Sequence, residues 1–160
     1  MEISTRKCFA MTLALLAGAL AACGTTQTSL NFDSYAHRVS DEVVALYWNC
    51  SRPAPGMVRL EGMANNPFYA QPIQDLEFRL YGVNAQGSDV SRAWGRSQAF
   101  LIYMNSPSPF TIDLRTQGSE VRYDMVYSYR LQQPPGGTRA LVAGGEQQNY
   151  ARDVCAELGP

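Results

Sequence analysis

Paired carboxylates, one histidine and four cysteines are the groups in this 160-residue chain whose types and spacing could do chemistry. Asp75 and Glu77 stand two apart, which puts both on one face of an extended segment, and Glu61 could join them from a nearby strand. Two acidic groups a few ångströms apart are enough for glycoside hydrolysis, so a small carboxylate hydrolase acting on cell-wall glycan is the one enzymatic route left open. Charges that alternate along a strand more simply form a solvated outer face, and no catalytic residue is expected. His37 is the only histidine and precedes the first clear strand, so a Ser-His-Asp or Cys-His site would have to recruit it across a loosely patterned segment. Zinc needs several His or Cys ligands; the sequence has no Cys-x-x-Cys, and no histidine lies near Cys50 or Cys155. Gly136, Gly137, Gly144 and Gly145 lack the helix and lysine that make a phosphate loop. Neither a metal nor a cofactor is expected.

Cysteine Cys23 has a context of its own. Arg6 and Lys7 open an apolar stretch from Cys8 to Leu20, broken only by Thr12 and Gly18 and closed by small residues, which is the layout of a secretory signal. About fifteen residues separate Lys7 from Cys23, too few for a membrane span of roughly 20. The run Leu20-Ala21-Ala22-Cys23 resembles a bacterial lipobox. That resemblance implies a diacylglyceryl group on the Cys23 thiol, cleavage before it, and a bilayer as partner through the acylated Cys23. One acyl chain holds only weakly, whereas two or three on one residue give a stable anchor. Gly24 follows, and similarity to enterobacterial sorting then implies the outer membrane of the cell envelope.

The expected organisation is a signal peptide over 1–22, a lipidated N-terminus and spacer over 23–42, and one β-domain over 43–158. Removal of residues 1–22 leaves 138, enough for a single core. That part carries 11 basic residues, all arginine, against 13 acidic ones. A balance near −2 gives no sign of nucleic acid or of an anionic membrane surface as partner, and the lack of lysine excludes Schiff-base chemistry. Once Cys8 is removed and Cys23 acylated, Cys50 and Cys155 are the remaining thiols. In an oxidising compartment they are expected to bond to each other, and closing a loop of about 100 residues contributes roughly 4.7 kcal/mol in the chain-entropy description.

Strand periodicity dominates the rest. Gly24 to Ser29 is a polar spacer, and Asp33 to Val43 fits a brief helix or an irregular segment. Val44, Leu46, Trp48 and Cys50 then share a face, and Met57 to Ala64 returns after the Pro53-Ala54-Pro55-Gly56 turn. Further strands are expected at Ile73 to Val83, Ser88 to Trp94, Ala99 to Met104, Phe110 to Arg115 and Val121 to Leu131, with a short edge at Ala140 to Ala143. Tyr123, Tyr127 and Tyr129 fall on the apolar side of their strand and read as core. The tail from Glu146 to Leu158 allows a helix or a pinned extension. About seven strands between Pro, Gly and Asn turns describe an all-β, antiparallel immunoglobulin-like β-sandwich, with a closed barrel as the alternative.

Gly62-Met63-Ala64-Asn65-Asn66, Phe78-Arg79-Leu80-Tyr81 and Phe110-Thr111-Ile112-Asp113-Leu114 resemble the bacterial FxLYD-type β-sandwich domains over about Met57 to Leu131. Gly82 stands where that family has Asp. The resemblance implies a binding or structural module. If it binds a protein of the envelope, the surfaces expected to do so are loops such as Asn105 to Pro109 and Gln132 to Gly137, or an edge strand.

Overall fold

Alternation of apolar and polar side chains produces two antiparallel sheets whose apolar faces meet. The computed structural model describes residues 31–67, 71–132 and 147–159. The expectations for the signal segment, Cys23, the Gly24 to Ser29 spacer, the Ala140 to Ala143 strand and most of the Gln132 to Gly137 loop lie outside them. Phe32–Pro160 form one unit, which contains every element below.

The strands are β1 His37–Ser40, β2 Ala45–Ser51, β3 Met57–Asn65, β4 Ile73–Asn84, β5 Asp89–Arg96, β6 Leu101–Ile102, β7 Ser108–Arg115, β8 Glu120–Leu131 and β9 Gln147–Ala151. The first sheet has the order β1-β2-β3-β7, the second β5-β4-β8-β9, and β6 pairs with β4. All of these ladders are antiparallel. The chain is an immunoglobulin-like β-sandwich; among the described residues the isolated Ser97–Phe110 and Asn66–Met104 bridges join the sheets but no ladder does, so the barrel alternative falls.

Three local expectations need correction. Asp33 to Val43 carries a 3-10 turn at Phe32–Ser34 and then β1, whose four residues pair with β2 from His37 opposite Trp48 to Ser40 opposite Ala45. Ala99 to Met104 shrinks to the two residues of β6, because Asn105 N already bonds Asn66 O and draws the chain back toward β3. Of the two readings of the tail the α-helix falls and the pinned extension holds: β9 pairs with β8, a 3-10 turn follows at Ala156–Leu158, and Cys155 is bonded to Cys50.

Packing explains the register. Phe78 of β4 and Phe110 of β7 stack between the sheets at 4.3 Å, with Leu46, Leu60, Leu80 and Met125 around them, all fully buried. A buried side chain of this size contributes about 1.5–3 kcal/mol. Gly62 is dictated by proximity, since a Cβ there would lie 2.1 Å from the Tyr47 carbonyl and 2.8 Å from Trp48 Cβ. In β4, Gln74 pairs with Arg130 and Glu77 with Ser128, so β4 carries one extra residue. Asp75 takes it up in a left-handed conformation, φ 53°, which lets Ile73 and Leu76, three apart, both face the core.

Two side-chain devices tie the sheets at the open seam. Asp41 Oδ1 accepts the backbone N–H groups of Val43 and Val44, both at 2.7 Å. Its Oδ2 accepts from the Tyr129 hydroxyl at 3.2 Å and Asn149 Nδ2 at 3.1 Å. Burial, reinforced by the Asp41 carboxylate, pushes the Tyr127 phenol up to about 12 and Tyr129 upward as well. The second device is the expected disulfide, Cys50–Cys155, with Cα atoms 5.6 Å apart. Beside it Trp48 Nε1 donates to the Val154 carbonyl at 2.7 Å, and Val154 N donates to the Tyr123 carbonyl at 2.7 Å.

Candidate binding face

Register places the functional side chains. On the outer face of the second sheet, Trp94 of β5 lies opposite Arg79 of β4, Arg79 opposite Val126 of β8, and Val126 opposite Tyr150 of β9. Directly paired residues share a face, so these four form one row across the sheet. Arg92, Tyr81 and Asp124 form the row on one side of it, and Arg96, Glu77, Ser128 and Gln148 the row on the other. Trp94 is 53% exposed and Tyr150 51%. The Arg96 guanidinium sits 5.3 Å over the Trp94 ring and that of Arg152 5.7 Å over Tyr150, contacts that orient arginine and ring together.

Tyr150 is fixed from below. Its hydroxyl donates to Asp124 Oδ2 at 2.7 Å, Arg122 Nε donates to the same oxygen at 3.1 Å, and Asp153 N donates to Oδ1 at 3.0 Å. Burial alone would raise the Asp124 pKa, but these hydrogen bonds outweigh it and hold the carboxyl below its ordinary value. The same bond raises the Tyr150 phenol. Asp124 is thus a support for the face rather than an exposed group on it.

At one end the face runs into a cleft of about 300 Å³ lined by Asp75, Leu76, Glu77, Arg96, Ser97, Gln98, Ala99 and Phe100. The bulge at Asp75 and the departure of the chain after β5 open it. Asp75 and Glu77 therefore share a cleft, which is the arrangement the hydrolase reading required. Both are partly exposed, and Asp75 Oδ2 lies 3.9 Å from Arg130 Nη1 and 3.5 Å from Gln74 Nε2. Glu61 does not join them: it lies on the other sheet, between Asn49 and Thr111.

Phe100 in the cleft lining and Tyr103 and Met104 after β6 are 61%, 55% and 52% exposed. The expected Asn105 to Pro109 loop begins next to them, but Ser108 and Pro109 belong to β7, and Ser108 is buried with its Oγ accepting from Ala99 N at 2.8 Å. Tyr123, Tyr127 and Tyr129 are buried as core. The opposite outer face is partly covered by the chain itself, where Phe32 stacks on Tyr47 at 4.3 Å.

His37 is the residue whose surroundings the sequence misjudged. Remote from both cysteines in sequence, it is brought by β1 onto Trp48, rings 5.5 Å apart, with Nε2 2.6 Å from Glu157 Oε2. Cys50 Sγ lies in the same group, every ligand-type atom within 4.8 Å of the others. With Cys50 in a disulfide that sulfur is no thiolate, so the oxidised group offers only His37 and Glu157 to a metal ion.

No protein-family model matches the chain, and no curated protein matches it in sequence. Among solved structures, it is similar to the GAE domain of yeast GGA1, with 11% identity, 72% of this chain and 96% of that chain covered, and a TM-score of 0.48. It is also similar to the GAE domain of GGA2p from Saccharomyces cerevisiae, with 11% identity, 74% and 94% covered, and a TM-score of 0.47.

Proposed function

We propose that the protein is a lipid-anchored envelope lipoprotein that acts as a non-catalytic binding module, its working surface being the outer face of the second sheet. The observation that carries the binding role is the exposure on one face of Trp94 and Tyr150 beside six arginines, Arg79, Arg92, Arg96, Arg122, Arg130 and Arg152, with Phe100 in the cleft at the end of that face and Tyr103 and Met104 exposed on the segment after β6. Aromatic residues, methionine and arginine are the types enriched in protein interfaces, and Trp, Tyr and Arg dominate their energetics. The partner is accordingly another envelope protein. Acylation of Cys23 is supported by the Leu20-Ala21-Ala22-Cys23 run, and outer-membrane placement by Gly24. Kinship with FxLYD-type domains is supported by Phe78-Arg79-Leu80-Tyr81 on β4 and Phe110 facing it from β7.

A photo-crosslinking side chain at Trp94 or Tyr103 should give a discrete adduct in intact envelopes, and one at Glu61 on the other sheet should not. Adducts of equal yield from Glu61, or none from Trp94 and Tyr103, would reject this face. Cys23→Ser should separately abolish palmitate labelling and membrane sedimentation; persistence of both rejects the anchor. The shared cleft of Asp75 and Glu77 favours a second reading, glycan hydrolysis, for which peptidoglycan turnover lost in both Asp75→Asn and Glu77→Gln is the test.

A further inference from the structure

We infer that reduction of Cys50–Cys155 turns this seam into a zinc site with both thiolates, His37 and Glu157 as ligands. His37 Nε2, Cys50 Sγ and a Glu157 carboxylate oxygen lie within 4.8 Å of one another, and Cys155 Sγ is bonded to Cys50 Sγ. Tetrahedral zinc takes sulfur at about 2.3 Å and nitrogen or oxygen at about 2.0–2.2 Å, so its ligand atoms stand about 3.3–3.8 Å apart. His37, Cys50 and Glu157 need shifts of about an ångström to reach that geometry, and Cys155, which stands outside that group of three, must swing in once its bond to Cys50 is broken.

The ligands come from three separate pieces of chain already fixed by other contacts. His37 is held on β1 by its stack on Trp48, and Cys50 by the β2–β3 ladder. Cys155 and Glu157 flank the start of the 3-10 turn, whose approach is docked by the Trp48 Nε1 and Val154 N hydrogen bonds. None of these contacts uses the disulfide, so the tail has reason to stay in place without it. The His37 and Glu157 side chains are 20% and 40% exposed, which leaves a path for an ion.

The chemistry balances with a protein dithiol as reductant. The dithiol gives two electrons and two protons to the Cys50–Cys155 bond, becomes a disulfide itself, and leaves two thiols. Zinc then displaces one proton from each thiol, while His37 binds as neutral imidazole and Glu157 as carboxylate. The tail is thereby fastened in either redox state, covalently or through the ion.

The test uses the chain reduced with a phosphine, which adds no competing thiol, and titrated with cobalt(II). One equivalent should produce tetrahedral d–d absorption together with thiolate-to-cobalt charge transfer, and zinc should erase both. His37→Ala and Glu157→Gln should each weaken zinc at least tenfold, and the oxidised chain should give neither signal. Absence of charge transfer in the reduced chain overturns the inference. So does undiminished affinity in the His37→Ala, Glu157→Gln double variant, which would mean thiols binding alone, or unfolding on reduction that zinc does not reverse.

Discussion

Glutamine in place of Glu120 tests whether one buried carboxylate organises the turn from β7 into β8. Glu120 is 7% exposed. Its Oε1 accepts from Ser91 Oγ at 2.6 Å and Gln117 N at 2.7 Å, and its Oε2 from Gly118 N at 2.8 Å. Burial alone would raise its pKa, but these bonds outweigh it and hold the carboxyl below the ordinary 4.5. Hydrogen bonds to a charged group contribute about 1.5–3 kcal/mol each. Glutamine keeps the shape and one acceptor oxygen, yet its NH₂ must face a donor N–H whichever way the amide turns. One charge-assisted bond is lost and one part-buried N–H turns to solvent, so the expected loss is about 1.5–3 kcal/mol near neutral pH. Urea unfolding should show it as a lower midpoint with an unchanged slope. Because the folded pKa is depressed, the wild-type advantage is complete above the unfolded value near 4.5 and is lost as pH falls through the folded one. The gap between wild type and variant should therefore narrow on acidification. A gap below about 0.5 kcal/mol near neutrality, the usual scale of surface substitutions, or one that does not shrink in acid, refutes the reasoning.

Reduction of Cys50–Cys155 with a chelator present should lower stability by up to about 4.7 kcal/mol, the loop-entropy figure for a closed loop of this size; equal urea midpoints with and without reductant would contradict it. Gly62→Ala should cost about 3 kcal/mol or more, since the added carbon meets backbone at Tyr47, and a soluble variant with wild-type melting would dismiss that contact. Tyr127 should ionise near pH 12 and Tyr129 well above the ordinary phenol value; as raised pKa values, they lend stability that is full below about pH 10 and lost as pH rises through the folded values. Asp41→Asn should bring both titrations to lower pH, followed by phenolate absorbance, and unmoved curves would remove Asp41 from the account.

The long strands were legible because each has one dry face: Leu76, Phe78 and Leu80 in β4, or Tyr123 to Tyr129 in β8, repeat at period two over enough residues to stand out. β9 has no such signature. Asn149 turns toward Asp41 and the Tyr150 hydroxyl toward Asp124, so both sides of the strand read as polar, and its place depends on β8. β1 is too short to show a period. The shared face of Asp75 and Glu77 was readable from spacing alone, whereas the Trp94, Arg79, Val126, Tyr150 row exists only through the register of four strands. His37 and Glu157 are 120 positions apart, and the reading that no histidine neighbours the cysteines held in sequence and failed in space. Gly82, which departs from the FxLYD pattern, has a local cause: a Cβ there would meet Ser91 Oγ at 2.3 Å and Glu120 Cγ at 2.5 Å.

The position of Cys155 also sets an order of assembly. The β1–β2, β2–β3 and β4–β5 hairpins close between near neighbours, while β3 meets β7 through Met57 and Arg115, and β4 meets β8 through Ile73 and Leu131. Such distant pairings are the slow steps of β-protein folding. The tail docks on Trp48 from one sheet and Tyr123 from the other, a surface that exists only after those steps are complete. Oxidation of Cys50 with Cys155 is then a late event that seals a finished sandwich, so the loss of trappable free thiols should trail the burial of Trp48 throughout refolding.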